Sequence, residues 1–212
     1  MSPVVSRSLV VVTAGLSEPS SSRLLGDRLA AAVERHLQDG GIDPRIEVVE
    51  LRVHAVDLAN QMLTGFPSPP LQSSLDAVLA ADGVIAVSPI FSGSYNGLFK
   101  SFWDAIDRDG FRGKPVLIAA TGGTPRHSLA IEHAIRPLFA YLRAATVPTA
   151  VYAATEDWGQ GSVTDGSLVE RIERAATELA SAMASVSSSA TSADVDPVPF
   201  EDLLRGLSGK QG

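Results

Sequence analysis

The sequence predicts a doubly wound, three-layer α/β sandwich built on a parallel sheet, and three observations carry that prediction. Five short apolar runs alternate with segments of helical periodicity, the pattern of repeated strand–helix–strand units. The first run, 8–14, is β-branched, and the third, 84–87, is wholly apolar, as strands buried on both faces require. Small-residue loops follow the first, third and fourth runs. At the carboxyl ends of parallel strands, such loops are where ligands sit.

Taken in order, the first strand, 8–14, ends at Gly15 and leads into Leu16-Ser17-Glu18-Pro19-Ser20-Ser21-Ser22-Arg23. Leu24, Leu25, Leu29, Ala32, Val33 and Leu37 then recur at helical spacing, and Gly40-Gly41 closes that helix. Residues 45–51 read as the second strand, 54–63 as a short helix or turn, and 71–81 as the second main helix. The third strand, 84–87, breaks at Ser88-Pro89 into a loop, and a helix resumes from about Tyr95. The fourth, 114–120, ends in Thr121-Gly122-Gly123-Thr124-Pro125. A long helical pattern over 127–145 contains Pro137, which should kink or divide it. A fifth strand over 149–154, an exposed loop over 156–161 and a last helix over 167–186 complete the pattern.

Residues 1–185 thus read as one domain, and 186–212 as a Ser/Ala-rich flexible linker with a short apolar tail. In that tail Val198, Phe200, Leu203, Leu204 and Leu207 form a stripe that docks either on its own domain or on another subunit.

At 212 residues, 45% hydrophobic and 19% charged, the chain suits a single globular core. A formal charge of −7 argues against a nucleic-acid-binding surface. The absence of cysteine excludes disulfides, thiol redox chemistry and iron–sulfur clusters, so redox work would need an organic cofactor or a metal. No HxH, HExxH or carboxylate cluster marks a metal site. No apolar run reaches the roughly 18–20 residues of a membrane-spanning helix, and residues 9–12 are too short for a signal-peptide core. A cytoplasmic protein without a membrane partner is expected.

The first loop has neither GxGxxG nor GxxxxGK[ST], so it is neither a dinucleotide fingerprint nor an NTP-hydrolysing phosphate loop. It offers the hydroxyls of Ser17, Ser20, Ser21 and Ser22 before a helix start, with Arg23 beside them. Free N–H groups and a partial positive charge there suit a monophosphate, although Ser20 or Ser21 could equally be an ordinary N-cap. The third loop carries Pro89, Ile90, Phe91, Ser92, Ser94, Tyr95, Asn96 and Gly97. Its aromatics and freed backbone suit a flat ring whose edge wants hydrogen bonds, or else they pack into a core. Thr121, Gly122 and Gly123 let backbone N–H groups approach such a ring. His127 has no Asp or Cys partner in view and reads as a ligand contact or a capping residue rather than a base.

The three loops together resemble the NAD(P)H-dependent FMN reductases of the flavodoxin-like superfamily. The segment from Pro89 through Ile90-Phe91-Ser92-Gly93-Ser94-Tyr95-Asn96-Gly97-Leu98-Phe99-Lys100 to Asp107 is similar to that family's signature loop and helix. Thr121-Gly122-Gly123 with His127, followed by Arg136-Pro137, resembles its TGG-x-x-x-H loop and Arg-Pro helix. The resemblance covers about residues 8–185 and departs in the first loop. There Glu18 stands where the family often has arginine, Arg23 is the nearest substitute for the basic residue the family often has near Ser21, and Ser20 and Ser22 match its hydroxyl positions.

The resemblance implies a five-stranded parallel sheet of order 2-1-3-4-5, FMN at the three loops, and NADH or NADPH as reductant. The flavin would carry the chemistry, with no catalytic side chain. It further implies a homodimer or higher homo-oligomer, and similarity to the subgroup that supplies reduced flavin to luciferase-like monooxygenases. The alternatives are an FMN electron carrier like flavodoxin, or a reductase that retains FMN and acts on quinones or azo dyes.

Overall fold

The computed structural model describes residues 5–159 and 167–186. Strand β1 (Ser6–Thr13) leads to α1 (Ser21–Asp39), β2 (Asp43–Glu50), α2 (Ala55–Thr64), α3 (Pro69–Ala80) and β3 (Gly83–Phe91). Then come β4 (Ser94–Tyr95), α4 (Gly97–Ala105), β5 (Pro115–Gly122), a 3-10 turn at Pro125–His127 and a π-helical turn at Ile131–Ile135. α5 (Arg136–Tyr141), β6 (Ala145–Thr146), β7 (Val151–Ala154) and α6 (Leu168–Ser185) follow. The expected apolar tail, residues 160–161 of the exposed loop and nearly all of the expected linker lie outside the described residues.

β2, β1, β3 and β5 lie side by side in that order and are all parallel. β6 and β7 both pair in parallel with β5, at Pro115 and Val116 and at 119–122 respectively. They fill the fifth position as one strand in two pieces. The interruption, 147–150, contains Pro148, which has no N–H to give a ladder. The order is therefore the expected 2-1-3-4-5.

Alternation along the strands sends Leu9, Val11, Ile85, Val87 and Leu117 to one face of the sheet and Val10, Val12, Val84, Val116 and Ile118 to the other. α1 and α6 cover the first face with Leu25, Leu29, Leu37, Leu179 and Met183. On the second, α3, α4 and α5 bury Leu75, Phe99, Phe102, Trp103 and Phe139. Trp103 meets Phe139 edge-on at 4.8 Å and Phe102 at 5.3 Å between ring centres, an arrangement that satisfies the ring quadrupoles.

Two segments differ from the sequence-based expectation. The third strand does not break at Ser88-Pro89; it continues to Phe91 and turns back through Ser92-Gly93 into antiparallel β4. At Ser88 and Pro89 the strand pairs with β5 alone, an edge-like setting that tolerates Pro89. Ser92 at φ 51° and Gly93 at φ 82° have the positive angles that a tight two-residue hairpin demands. The second difference is the expected helix over 127–145, which is divided into the 3-10 turn, the π-helical turn and α5. The division falls just before Pro137, which cannot donate to a continuous ladder.

Candidate functional site

Parallel strands bring their carboxyl ends to one edge of the sheet, and β1, β3 and β5 end there at Thr13, Phe91 and Gly122. The order reverses between β1 and β3, which opens a crevice beyond those ends. Buried polar links hold its rims together. The Ala14 N–H donates to the Val87 carbonyl at 3.0 Å, and Asn96 Nδ2 donates to the Ala14 carbonyl at 2.7 Å. Asn96 Oδ1 also caps α4 by accepting the Phe99 N–H at 2.9 Å, while the Asn96 N–H donates to Ser88 Oγ at 3.2 Å. Asn96 is thus a brace between the first and third loops. Ser88, which sequence reasoning took only as the point where the strand ends, is its buried anchor.

The first loop closes on itself. A Cβ on Gly15 would lie 1.9 Å from Ser20 Oγ, so only glycine allows the turn. Ser17 Oγ donates to the Pro19 carbonyl at 3.1 Å, and Ser20 caps α1 by accepting the Arg23 N–H at 3.2 Å. Ser22 points inward, and its hydroxyl lies 2.8 Å from that of buried Thr121, joining the first loop to the end of β5. Ser21 is exposed at the first position of α1. The first-turn N–H groups of an α-helix, here those of Ser21 and Ser22, have no partner within the helix, and such groups can donate to an anion.

Charges crowd the same loop. Arg23 contacts Asp27 at 2.8 Å and Glu50 at 2.6 Å. Arg52 contacts the other oxygen of Glu50 at 3.1 Å and also pairs with Glu18. Both guanidiniums are pushed above their ordinary value, Arg23 chiefly by its hydrogen bond to Asp27 and Arg52 chiefly by that to Glu18. Arg52 lies in a 3-10 turn after β2, far from the loop in sequence, and no motif marked it.

Opposite stand the β3–β4 hairpin and the end of β5. Pro89 and Ile90 are buried in β3, Ser94 and Tyr95 are half-buried on β4, and Phe91 and Ser92 are exposed. Tyr95 stacks toward Phe99 at 5.8 Å, which roots it in the aromatic core. Side chains built at Gly93, Gly97 and Gly123 would meet no protein atom within 4 Å. Backbone there borders open space, and a flat ring can approach it closely. Thr121 and Gly122 belong to β5 itself rather than to a loop. Gly122 has no room for a side chain, because a Cβ would lie 2.1 Å from the Tyr152 hydroxyl. That hydroxyl donates to the Thr124 carbonyl at 2.8 Å and steadies the Gly122–Gly123 turn. Burial, and then the nearby Asp157 carboxylate, push the Tyr152 phenol up from its ordinary value.

His127 is exposed in the 3-10 turn. With Gly93, Arg126 and Leu129 it borders a cavity of about 330 Å³, so the hairpin tip and the fourth-strand loop do meet. His133 borders the same cavity. A larger groove of about 760 Å³ runs between α4 and α5 past Lys100 and Trp103, but none of the three loops lines it. Among the described residues no cluster of His, Asp and Glu could hold a metal ion.

A sheet of order 2-1-3-4-5 with this crevice defines the flavodoxin-like class of doubly wound proteins. Residues 8–159 match the model of the NADPH-dependent FMN reductase family, and the chain belongs to that family. It is 37% identical over 172 residues to an FMN reductase (NADPH) of Pseudomonas aeruginosa, covering 81% of this chain and 90% of that one. To the NADH-dependent FMN reductase SfnF of Pseudomonas putida it is 36% identical over 166 residues, 78% of this chain and 87% of that one. Among solved structures, an oxidoreductase from Corynebacterium diphtheriae superposes with a TM-score of 0.82 at 41% identity, covering 87% of this chain and all of that one.

Proposed function

We propose that the protein reduces FMN with NADH or NADPH and passes on the reduced flavin. The observation that carries this reading is that the family match over residues 8–159 spans all three loops at the crevice. The residues there fit FMN. Free first-turn N–H groups and hydroxyls lie on one side, and open glycine backbone beside exposed Phe91 lies on the other.

In this reading the first-turn N–H groups of α1, with Ser17, Ser20 and Ser21, hold the phosphate, while Ser22 fixes their position through Thr121. Arg23 adds positive charge behind them. Backbone of residues 90–97 and 121–123 takes the ring edge, and Phe91 and Tyr95 wall the ring. N–H donors at that edge favour the negative charge that a reduced ring carries. His127 touches the ring edge or the incoming nicotinamide. When bound, FMN supplies the redox chemistry, accepting hydride at N5 from the nicotinamide. The protein's work is to hold the two rings about 3–3.5 Å apart and aligned, so no side chain has to carry a proton.

Relatives of nearly equal identity are named for NADPH and for NADH, so both nicotinamides stand as reductants. The reading extends to a cytoplasmic homodimer or higher homo-oligomer that feeds a separate flavin-dependent monooxygenase. No helix among the described residues is long and apolar enough to cross a membrane. Exposed Leu16, Phe91 and Leu129 around the crevice support a subunit contact there.

Anaerobic mixing with FMN and either nicotinamide tests the activity. The flavin absorbance should bleach much faster than in a protein-free control. Bleaching no faster than in that control, with NADH and with NADPH alike, would refute the reading.

A further inference from the structure

The phosphate side of the crevice is short of free positive charge. Arg23 and Arg52 are the cations beside it, and Asp27, Glu50 and Glu18 already engage them. The network holds two positive and three negative groups, so an arriving dianion meets an anionic cluster rather than a cationic one. Its members are not equally held. Glu50 is 28% exposed and bridges both guanidiniums, whereas Glu18 is 70% exposed and pairs with Arg52. Glu18 also lies within the loop itself, between Ser17 and Pro19, whose hydroxyl–carbonyl bond makes the turn. An anion at this loop therefore competes with Glu18 before any other group.

We propose that Glu18 and Arg52 form a counter-ion gate on the flavin phosphate. Arg52 is the cation that the phosphate recruits, and Glu18 is the internal anion from which Arg52 must be taken. The gate rests on the reading that the first loop holds the phosphate. It sets the affinity for FMN low by a built-in competitor and leaves the ring contacts untouched. Such a device suits a flavin that arrives and leaves as a substrate, and it gives FMN binding a salt dependence that riboflavin binding lacks.

Equilibrium titration of the full chain with FMN and with riboflavin, followed by flavin fluorescence, tests the gate. Glu18→Gln should tighten FMN by about two- to fivefold, the range of one exposed charge pair, and leave riboflavin unchanged. Arg52→Gln should weaken FMN alone, and in that background Glu18→Gln should have no further effect. In the unaltered protein, added salt should narrow the difference between FMN and riboflavin. If FMN binds more tightly than riboflavin but Glu18→Gln leaves both affinities unchanged, the gate is overturned and the phosphate loop stands. If FMN and riboflavin bind equally in the unaltered protein, the phosphate loop itself is refuted and the gate falls with it.

Discussion

The first loop and the β3–β4 hairpin face each other across one crevice, but they are held in different ways. The loop is surrounded by ion pairs among Arg23, Asp27, Glu50, Arg52 and Glu18, all of them more than a quarter exposed. The hairpin is anchored by buried Ser88 and Asn96 and by Tyr95 against the aromatic core. Exposed pairs contribute about 0–1 kcal/mol each, whereas a buried polar group left without its partner costs about 1–3 kcal/mol. Changes to the charged groups on the loop side should therefore alter which flavin binds with little effect on folding. Changes on the hairpin side should cost stability first.

The largest expected effect is that of Asn96→Ala. It removes the α4 cap and leaves the Ala14 carbonyl and the Phe99 N–H short of partners. Urea denaturation should show a loss of about 2–4 kcal/mol. A loss below about 1 kcal/mol would erase the contrast between the two sides.

Next is Ser20→Ala combined with Ser22→Ala. The double change should cost about 1–3 kcal/mol through the lost cap and the unpaired Thr121 hydroxyl. It should also weaken FMN about tenfold, as loss of a hydrogen bond to a charged group does, while riboflavin changes far less. Unchanged FMN affinity would mean that these serines only cap and brace.

Tyr152→Phe should have the smallest effect. The Tyr152 phenol, raised in the folded state, donates to Thr124 only while protonated. Its stabilisation is therefore present below the unfolded tyrosine value and lost as pH rises through the raised one. In an absorbance titration of the folded protein, one of the chain's three tyrosines should ionise late, and that component should vanish in the variant. A late component that survives the substitution would belong to another tyrosine.

The central strands were readable because burial on both faces leaves little but β-branched and small apolar residues, as in Val10-Val11-Val12 and Val84-Ile85. The hairpin was not. Ser88-Pro89 looks like a break to local rules, and only the open flank at those two residues lets the strand run past it. The paired serine and glycine loops were legible as a site because they follow strand ends. Local sequence could not show that Ser22 turns inward to Thr121, 99 residues away. Arg52 was invisible for the same reason, since its closeness to Glu18 comes from β2 lying beside β1.

The central claim is that one crevice receives phosphate on the α1 side and a flat ring on the hairpin side. Amide NMR of the isotopically labelled chain, titrated with FMN and separately with riboflavin, tests it directly. FMN should shift the amides of Ser21, Ser22 and Arg23 together with those of residues 90–97 and 121–123, and riboflavin should shift the second set alone. Identical shifts from both ligands, or shifts confined to the groove between α4 and α5, would contradict the account.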